Sequence, residues 1–454
     1  MNDTIAAIAT AYGEGGIGII RISGPEALKA LSAVFQCKGT PEDHRMTYGK
    51  IKDPVTGATI DEVLAVYMKE PSTYTGEDVV EINCHGSMVS LGKTLGLVLQ
   101  QNVRLAEPGE FTKRAFLNGR MDLSQAEAVI DVIKAKTDKS FDVAMAQMEG
   151  SLSHRVGEIR RAILDLLVDI TVNIDYPDED IEQMTYDKLE KGLVDVRSMV
   201  DSLLATAGSG RMIREGIRVA IVGKPNVGKS SLMNGLLRQS RAIVTEIPGT
   251  TRDSIEEAVS IRNLPVYLID TAGIRETDDT VEKIGIEKSK EAFNNADFVI
   301  FIVDGSKPLS EEDELIISYL EGRKALVLIN KSDLGSVIKP AELAAKLPEC
   351  KIIETSLIKG EGITEIEDTI EELVYGGEIS QEESIMVNNV RHENLLRKAS
   401  WAAGDAIEMS RMQEALDIIE IDVRNAYDFL GEIIGETVSD DIINEVFARF
   451  CLGK

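Results

Sequence analysis

The chain has 454 residues, of which 43% are hydrophobic and 28% are charged. This length predicts two to four domains, and this composition excludes disorder over most of the chain. The 49 basic and 77 acidic side chains give a formal net charge of −28. Such acidity argues against broad nonspecific binding to nucleic acid, which depends on Lys and Arg. A local basic site, or recruitment to nucleic acid through a partner, stays open.

The cysteines and the N-terminal residues indicate the compartment. The four cysteines, Cys37, Cys84, Cys350 and Cys451, are scattered and form no C-x-x-C pair, which excludes a disulfide scaffold. The first residues have neither a basic start nor a long apolar core, so they do not resemble a secretory signal. No apolar run reaches the roughly 18 residues that cross a bilayer. We therefore expect a soluble cytoplasmic protein with no membrane association.

Residues 1–120 are predicted to have mixed structure with many short strands. Apolar, β-branched runs lie at Ile17–Ile22, Val63–Tyr67 and Val79–Ile82, and Gly, Pro, Asn and Asp separate them. The stretch Gly13–Gly18 fits the pattern G-x-G-x-x-G, but a dinucleotide site needs a helix directly after it. Because a strand pattern follows instead, we favour a hairpin or a ligand-covering loop.

The pattern becomes helical at Asp122. Gln125 follows Asp122 at the spacing of a capping box, in which each residue bonds the backbone of the other. Apolar residues then recur at helical spacing, most clearly in Ile159–Ile170 and Leu189–Leu204. This part of the chain is therefore predicted to be a helical domain.

Gly208–Gly210 and Gly216 are predicted to end the helical run. Short apolar strands then alternate with helical stretches; these strands are Val219–Val222, Val266–Ile269, Phe298–Val303 and Ala325–Ile329. This alternation is typical of a mainly parallel α/β sheet. The chain is predicted to be helical again from His392 to its end. We interpret the whole as a helical domain that an inserted α/β domain interrupts.

Residues Gly223–Ser230 match the phosphate-binding pattern G-x-x-x-x-G-K-[ST] directly after a predicted strand. The glycines allow successive backbone N–H groups to turn toward phosphate oxygens at the N-terminus of a helix. Lys229 is expected to reach the β- and γ-phosphates, and Ser230 to bind Mg²⁺. The alternative is an ordinary turn between strand and helix, which the companion motifs disfavour.

Three companion motifs follow further predicted strands. Asp270–Gly273 can reach Mg²⁺ and the γ-phosphate. Asn330–Asp333 predicts guanine recognition, because a carboxylate at Asp333 accepts from both N1–H and the 2-amino group of guanine. Thr355–Leu357 suits the loop whose backbone N–H meets the guanine oxygen. The order of these motifs predicts a GTPase domain.

The order and spelling of the motifs resemble the translation-factor-related class of P-loop GTPases. In that class Gly249–Asp253 is similar to the first switch, and Thr251 contributes to the Mg²⁺ site. The predicted GTP-binding residues are Asn226, Val227, Gly228, Lys229, Ser230, Ser231, Thr245, Glu246, Ile247, Pro248, Gly249, Thr250, Thr251, Asp270, Thr271, Ala272, Gly273, Asn330, Lys331, Asp333, Ser356 and Leu357.

One position departs from the Ras-like pattern. Ile274 stands where Ras-like GTPases have the Gln that orients the attacking water. An apolar side chain cannot orient water, so a cation, another side chain or a second subunit has to do so. Arg275 and Glu282 are the nearby polar candidates.

Several short motifs outside the GTPase domain are more specific than a phosphate loop. They are Gly16–Gly24, Tyr74–Asp78, Cys84–Gly86, Pro108–Thr112, Arg114–Arg120, Asp122–Ala128 and Cys451–Lys454. Together with the inserted GTPase they resemble, over the whole chain, the MnmE (TrmE) family. Members of that family are bacterial and organellar GTPases that modify the wobble uridine of certain tRNAs.

The resemblance implies an α/β and α multidomain fold that begins with an α+β, folate-binding domain. The predicted domains are residues 1–120 for tetrahydrofolate binding and dimerisation, 121–215 and 378–454 for the two parts of the helical domain, and 216–377 for the inserted P-loop GTPase domain. Arg21, Glu81 and Arg120 are similar to folate-contacting positions, and Lys454 reaches in from the C-terminus. The family often has Lys where Arg120 stands. Cys451 resembles a catalytic cysteine needed for tRNA modification.

The resemblance also implies how the GTPase manages without the Gln. Asn226, Thr245, Ile247 and Thr250 resemble a cradle for K⁺, Ser230 and Thr251 bind Mg²⁺, and Glu282 resembles the catalytic residue that positions water. Arg252, Asp253 and Arg275 are similar to other switch positions. Two GTPase domains of a homodimer would then meet across their nucleotide sites.

The implied activity requires partners and a one-carbon donor. With the FAD-binding protein MnmG (GidA), in a heterotetramer, the chain would add an aminomethyl or carboxymethylaminomethyl group to carbon 5 of the wobble uridine of tRNA. The carbon would come from a 5-formyl or 5,10-methylene tetrahydrofolate derivative, and the amine from glycine or ammonium. The alternatives are a regulatory GTPase of ribosome assembly without one-carbon chemistry, and a folate-dependent methyltransferase with its own flavin.

Overall fold

The computed structural model describes residues 3–175, 185–239, 241–242, 256–270, 296–323, 325–375 and 385–454. The chain forms two compact units. The first consists of Met1–Ile133, Gln147–Leu193 and Ala402–Lys454, and the second consists of Lys134–Ala146 and Val194–Trp401. The domain boundaries predicted from the sequence stay predictions.

The first unit is built on a mixed sheet. Its strands are β1 (Ile5–Ile8), β2 (Gly15–Ser23), β3 (Phe35–Cys37), β4 (Thr47–Lys52), β5 (Thr59–Met68), β6 (Val79–Gly86) and β7 (Arg104–Leu105). Their order is β3-β4-β5-β6-β2-β1-β7, and all neighbours are antiparallel except β1 and β7. The three strands predicted from apolar runs are β2, β5 and β6. Gly15 begins β2, which forms a hairpin with β1, so the hairpin favoured for the glycine-rich stretch is confirmed.

Helices cover one face of this sheet. Helices α1 (Ala27–Val34) and α2 (Met88–Leu99) contact it and share its apolar core. Alternation along β5 buries Val63 and Ala65 but leaves Leu64 exposed, because successive side chains of a strand point to opposite faces. The opposite face carries Arg21 of β2 and Glu81 of β6, which are paired across the two strands.

Helices follow the sheet in the chain. They are α3 (Glu110–Leu117), α4 (Leu123–Lys134), α5 (Asp138–Met148), α6 (Ser151–Asp175), α7 (Tyr186–Ala205) and α8 (Ala207–Glu215). The predicted capping box at the start of α4 is confirmed: the Gln125 N–H donates to Asp122 Oδ1 (2.9 Å), and the Asp122 N–H donates to Gln125 Oε1 (3.0 Å). The two strongest helical stretches of the sequence lie in α6 and α7.

The prediction that Gly208–Gly210 ends the helical run is wrong. These residues lie inside α8. Gly216, with a φ of 82°, caps this helix after Glu215, so the prediction that Gly216 ends the helical run is confirmed. A Cβ on Gly210 would lie 2.3 Å from the Val387 carbonyl oxygen. Glycine is needed here for the close approach of another backbone segment, and it does not interrupt the helix.

The second unit is built on a mainly parallel sheet, as predicted. Its strands are β8 (Ile217–Val222), β9 (Arg241–Ala242), β10 (Glu256–Ile261), β11 (Leu264–Asp270), β12 (Phe298–Asp304), β13 (Ala325–Asn330) and β14 (Lys351–Glu354). The order is β14-β13-β12-β8-β11-β10-β9; neighbours from β14 to β11 are parallel, and β10 is antiparallel to β11 and β9. The carboxyl ends of the parallel strands therefore share one edge, where ligands of such sheets bind.

Both faces of this sheet are covered. Apolar residues of α9 (Lys229–Gln239) and α12 (Ile363–Tyr375) belong to one core cluster. Apolar residues of α10 (Glu311–Leu320) and α11 (Pro340–Lys346) belong to another. The strands β12 and β13 are accordingly continuous apolar runs rather than alternating ones, as burial on both faces requires.

The chain ends in three further helices of the described region, α13 (Val390–Arg411), α14 (Leu416–Ile434) and α15 (Asp440–Ala448). The predicted return to helix near His392 is confirmed. Helix α14 packs along α6, and the Arg160 guanidinium lies 4.1 Å from the centre of the Tyr427 ring between them. Across the described residues, no helix combines the length and the apolarity that crossing a membrane would take.

Candidate functional site

The predicted phosphate loop joins β8 to α9 at the carboxyl edge of the second sheet. Two glycines allow neighbouring groups to come close: a Cβ on Gly223 would lie 2.4 Å from the Ile302 carbonyl oxygen, and one on Gly228 would lie 2.2 Å from Asn330 Nδ2. Asn226 has a left-handed φ of 62° and an exposed side chain. The loop is thus a tight turn that packs against the ends of β12 and β13. Phosphate binding by backbone N–H groups requires such a turn.

Lys229 folds back over this loop. Its ammonium donates to the carbonyl oxygens of Gly223 (2.6 Å) and Lys224 (2.9 Å), and the residue is only 9% exposed. Ser230 and Ser231 are exposed on the first turn of α9, and Val227 is buried beneath the loop. The Lys229 ammonium lies beside the N-terminus of α9, where it suits the phosphates of a nucleotide. The exposed Ser230 hydroxyl suits Mg²⁺.

Asn330 connects the phosphate loop to two other predicted motifs. It is buried at the end of β13, and its Nδ2 donates to the Val227 carbonyl oxygen (2.7 Å). Its Oδ1 accepts from the Leu357 N–H (3.1 Å). The side chain therefore fixes the spacing between the phosphate side and the base side of the predicted site.

The two predicted base-contacting loops lie together. The buried Ser356 hydroxyl donates to Asp333 Oδ1 (2.7 Å), and the Ser332 N–H donates to the Thr355 carbonyl oxygen (3.1 Å). One Asp333 oxygen is thereby held by the protein, which orients the carboxylate. Asp333 itself is exposed, as a group that receives two guanine donors must be before the base arrives.

Lys331 is held by Asp304, a residue that the sequence analysis missed. The Lys331 Nζ lies 2.6 Å from Asp304 Oδ2, and Lys331 has a left-handed φ of 68°. Burial raises the pKa of Asp304, but hydrogen bonds from Lys331 and Ser306 outweigh it, so the net pKa is lowered. The carboxylate at the end of β12 is therefore charged and positions Lys331. An acidic residue at a strand end beside the sheet edge was the available signal.

A second cluster lies on the face of the first sheet that is opposite α1 and α2. The Arg21 Nε donates to Glu81 Oε1 (2.8 Å), and its Nη1 donates to the Gly453 carbonyl oxygen (3.3 Å). The Arg21 guanidinium also lies over the rings of Tyr74 (5.5 Å) and Phe111 (5.7 Å), within the range of cation–π attraction. Strand pairing brings Arg21 to Glu81, and the C-terminal residues complete the group.

Arg120 joins this cluster through an aromatic ring. Its guanidinium lies 5.2 Å from the centre of Tyr74, which Arg21 also contacts. The Tyr74 hydroxyl is 2.9 Å from the Thr112 hydroxyl. Tyr74 and Phe111 belong to motifs that carried the family resemblance but received no role, so their positions in those motifs were the signal.

The C-terminal residues are docked against β1 and α3. The Phe111 N–H donates to the Lys454 carbonyl oxygen (3.2 Å), and the Gly109 N–H donates to that of Cys451 (3.4 Å). Gly453 has a φ of 89°, and a Cβ on it would lie 2.3 Å from the Ile8 carbonyl oxygen. Only glycine fits this position without strain.

The docked tail brings a second cation to Arg21. Burial is the largest cause that lowers the pKa of Lys454, and the positive charge of Arg21 lowers it further. Glu81 opposes this effect but does not cancel it. Burial and mutual repulsion both disfavour two charged cations at this site, so the site favours an anionic ligand. The Cys451 thiol is exposed three residues earlier in the tail.

Comparisons with known proteins agree with this geometry. Family models described as the MnmE helical domain and as the GTP-binding protein TrmE N-terminus match residues 123–451 and 4–120. A relative from Alkaliphilus metalliredigens, a tRNA modification GTPase MnmE, is 51% identical over 100% of both chains. A relative of the same description from Clostridioides difficile is also 51% identical over 100% of both chains.

The chain belongs to the MnmE family of tRNA modification GTPases. The family resemblance, the predicted fold class and the predicted GTPase activity are thereby confirmed. GTPases bind GTP together with Mg²⁺, which agrees with the positions of Lys229, Ser230 and Asp333. The individual site residues stay predictions that the geometry accommodates.

Part of the predicted MnmE-type site lies outside the described residues. These positions are Thr245, Glu246, Ile247, Pro248, Gly249, Thr250, Thr251, Arg252, Asp253, Thr271, Ala272, Gly273, Ile274, Arg275 and Glu282. Asp270 is the last residue of β11, at the sheet edge that carries the phosphate loop. The described residues thus account for the phosphate loop and the base loops.

Proposed function

We propose that the chain acts with the FAD-binding protein MnmG (GidA) to add an aminomethyl or carboxymethylaminomethyl group to carbon 5 of the wobble uridine of tRNA. The observation that carries this proposal is the docked C-terminal tail, which brings Lys454 and the exposed Cys451 to the Arg21–Glu81 pair. A GTPase that acted only as a switch would need no such cluster. The reaction would take place in the cytoplasm, in a heterotetramer of two copies of each protein.

The Arg21 cluster suits a tetrahydrofolate derivative. Arg21, Arg120 and Lys454 supply positive charge, Tyr74 supplies an aromatic surface, and Glu81 supplies an acceptor. Folates combine a flat, polar pterin ring with anionic carboxylates, so both kinds of group have partners here. When bound, a 5-formyl or 5,10-methylene tetrahydrofolate supplies the one-carbon unit. Arg21 and Lys454 bind and orient it.

Cys451 is the proposed catalytic residue of this reaction. Its backbone carbonyl is anchored by the Gly109 N–H, while its thiol stays exposed. Gly453, two residues later, lies close to the Ile8 carbonyl oxygen of β1, which supports a docked tail. In this position the thiol would be accessible to a tRNA beside the folate cluster.

We propose that GTP hydrolysis depends on K⁺ and on a second copy of the chain. Asn226, with the loop of Thr245, Ile247 and Thr250, would hold the K⁺; Ser230 and Thr251 would hold the Mg²⁺; Glu282 would position the attacking water. Ile274 cannot position it, since its side chain is apolar. The exposed Asn226 in its left-handed conformation supports this role. Hydrolysis would then open and close the assembly.

A homodimer through the first sheet is part of the proposal. Tyr48 and Leu64 face each other across β4 and β5 on the face opposite α1 and α2, and they are 61% and 44% exposed. This exposed pair would suit contact with a second copy of the chain. The net charge of −28 suggests that MnmG supplies most of the tRNA-binding surface.

Two measurements on one variant test this function. Lys454→Ala should weaken the binding of 5-formyltetrahydrofolate, followed by calorimetry, about tenfold. In a deletion strain, the same variant should restore less of the modified uridine, measured by nucleoside mass spectrometry. Lys29→Ala removes a lysine that is 81% exposed and serves as the matched control. Normal folate binding and normal tRNA modification by Lys454→Ala would contradict the proposal.

A further inference from the structure

The second residue of the phosphate loop is anchored from outside the loop. Lys224 Nζ lies 2.6 Å from Asp313 Oδ2 and donates to the Ser310 hydroxyl oxygen (2.8 Å). Ser310 is the N-cap of α10, and Asp313 is in the first turn of that helix. These contacts connect the phosphate loop to the start of α10, the helix that follows β12 in the chain.

Asp313 is a buried, hydrogen-bonded carboxylate rather than a surface charge. Its side chain is 3% exposed, and the Lys224 side chain is 22% exposed. Asp313 Oδ2 also accepts from the Ser310 N–H (2.9 Å) and the Ser310 hydroxyl (2.9 Å). The Asp313 N–H donates to the Ser310 hydroxyl oxygen (3.4 Å), which completes the capping box of α10. Its Oδ1 is buried and has no hydrogen-bond partner within the described ranges. The hydrogen bonds and the ion pair that described residues make to this buried carboxylate are all made to Oδ2, and Lys224 is the cation among these partners.

The anchor bears directly on the phosphate-binding backbone. The Lys224 carbonyl oxygen accepts from Lys229, so this residue is held at its side chain by α10 and at its main chain by the phosphate-binding lysine. The contact between Lys224 and α10 therefore constrains the same backbone segment that is expected to receive the phosphates.

We propose that Asp313, together with Ser310, is a positioning residue for nucleotide binding that acts through Lys224. It keeps the loop backbone in the shape that receives the phosphates. It touches neither the nucleotide nor the attacking water, so it affects how tightly the nucleotide is held and not the hydrolytic step.

The kinetics of nucleotide release test this role in the full-length protein. Asp313→Asn keeps the size and one acceptor for the cap but removes the charge opposite Lys224. We expect release of fluorescent N-methylanthraniloyl-GDP, followed by stopped flow, to be about tenfold faster. The KM for GTP should rise by a similar factor, and kcat at saturating GTP should stay within about twofold. Unchanged release and KM would overturn the proposal.

A double-mutant cycle separates positioning from helix capping. Lys224→Met should speed release as Asp313→Asn does, and the double variant should be no worse than the more affected single one. If the two effects multiply, Asp313 does not act through Lys224, and the proposal is wrong. Should Asp313→Asn fail to fold, Lys224→Met alone decides, since normal release by that variant would refute the role. Glu314→Gln is the matched control: it neutralises the next carboxylate of α10, which pairs with Lys346 at the surface, and should leave release unchanged.

Discussion

The nucleotide site and the Arg21 cluster are assembled in different ways. At the nucleotide site the phosphate loop and the base loops are each contiguous in sequence and follow a strand of the second sheet, so the parallel strands bring these loops together at one edge. The Arg21 cluster collects single side chains from β2, β6, the Tyr74 loop, α3 and the C-terminal tail. The first kind of site can be recognised from spacing and chemistry, and the second only from its fold or its relatives.

The difference predicts that the two sites can be disabled separately. Cys451→Ser should abolish tRNA modification, the largest effect that we expect, because it removes the thiol at the Arg21 cluster. GTP hydrolysis should stay nearly intact, since the nucleotide site lies on the other sheet. Nucleoside mass spectrometry and phosphate release measure the two activities. Loss of both would mean that Cys451 is structural and that the sites are not independent.

A change at the base loop should instead impair nucleotide recognition. Asp333→Asn loses the acceptor pair for guanine but keeps an oxygen for the Ser356 hydroxyl. We expect the preference for GTP over xanthosine triphosphate to fall about a hundredfold, since a site built for hydrogen bonds strongly rejects a mismatched base. Competition binding measures this ratio, with Glu349→Gln as a surface control. An unchanged ratio would refute the assignment of this loop to the base.

The monovalent cation probes the predicted K⁺ site, which combines Asn226 of the phosphate loop with Thr245, Ile247 and Thr250. Replacing Na⁺ by K⁺ should raise GTP hydrolysis about tenfold or more, because the bound cation would take the place of the positive charge of an arginine finger. Asn226→Ala should bring the two rates closer together. Equal rates of the wild-type chain in both salts would remove K⁺ from the proposed mechanism.

The nucleotide site could be predicted from the sequence more completely than the Arg21 cluster. Asn330 and Asp333 could be predicted because their roles depend on a motif and a preceding strand. Tyr74 and Phe111 could not, because their role depends on Arg21 lying over both rings. Gly210 was misinterpreted as a helix breaker, because the backbone that requires it, at Val387, is distant in sequence. Local patterns were sufficient for strands and caps, but not for contacts between distant segments.

Gly453 tests how far the Arg21 cluster depends on such a distant contact. Gly453→Ala would place a Cβ 2.3 Å from the Ile8 carbonyl oxygen at a φ of 89°, which costs about 1–3 kcal/mol in the docked state. We expect weaker folate binding with normal GTP hydrolysis, measured by calorimetry and phosphate release. Gly96→Ala is the control, since a Cβ there meets nothing within 4 Å. Unchanged folate binding by Gly453→Ala would mean that the tail does not build the cluster.

The smallest effect that we expect is on the free energy of unfolding, from a substitution of His85 in the first sheet. Its Nδ1 lies 2.6 Å from Asp61 Oδ1, and this hydrogen bond and the charge of Asp61 raise the pKa of His85 above 6.5. A raised pKa in the folded state means that the pair stabilises the fold fully below pH 6.5, and that this contribution is lost as the pH rises through the folded pKa. The free energy of unfolding in urea should therefore differ more between the wild type and His85→Gln at pH 5.5 than at pH 8.5. Because His85 is 72% exposed, solvent screens the interaction and the change should be small. An equal difference at both values would show that the charge of His85 contributes nothing, and that its hydrogen bond to Asp61 acts in the neutral form alone.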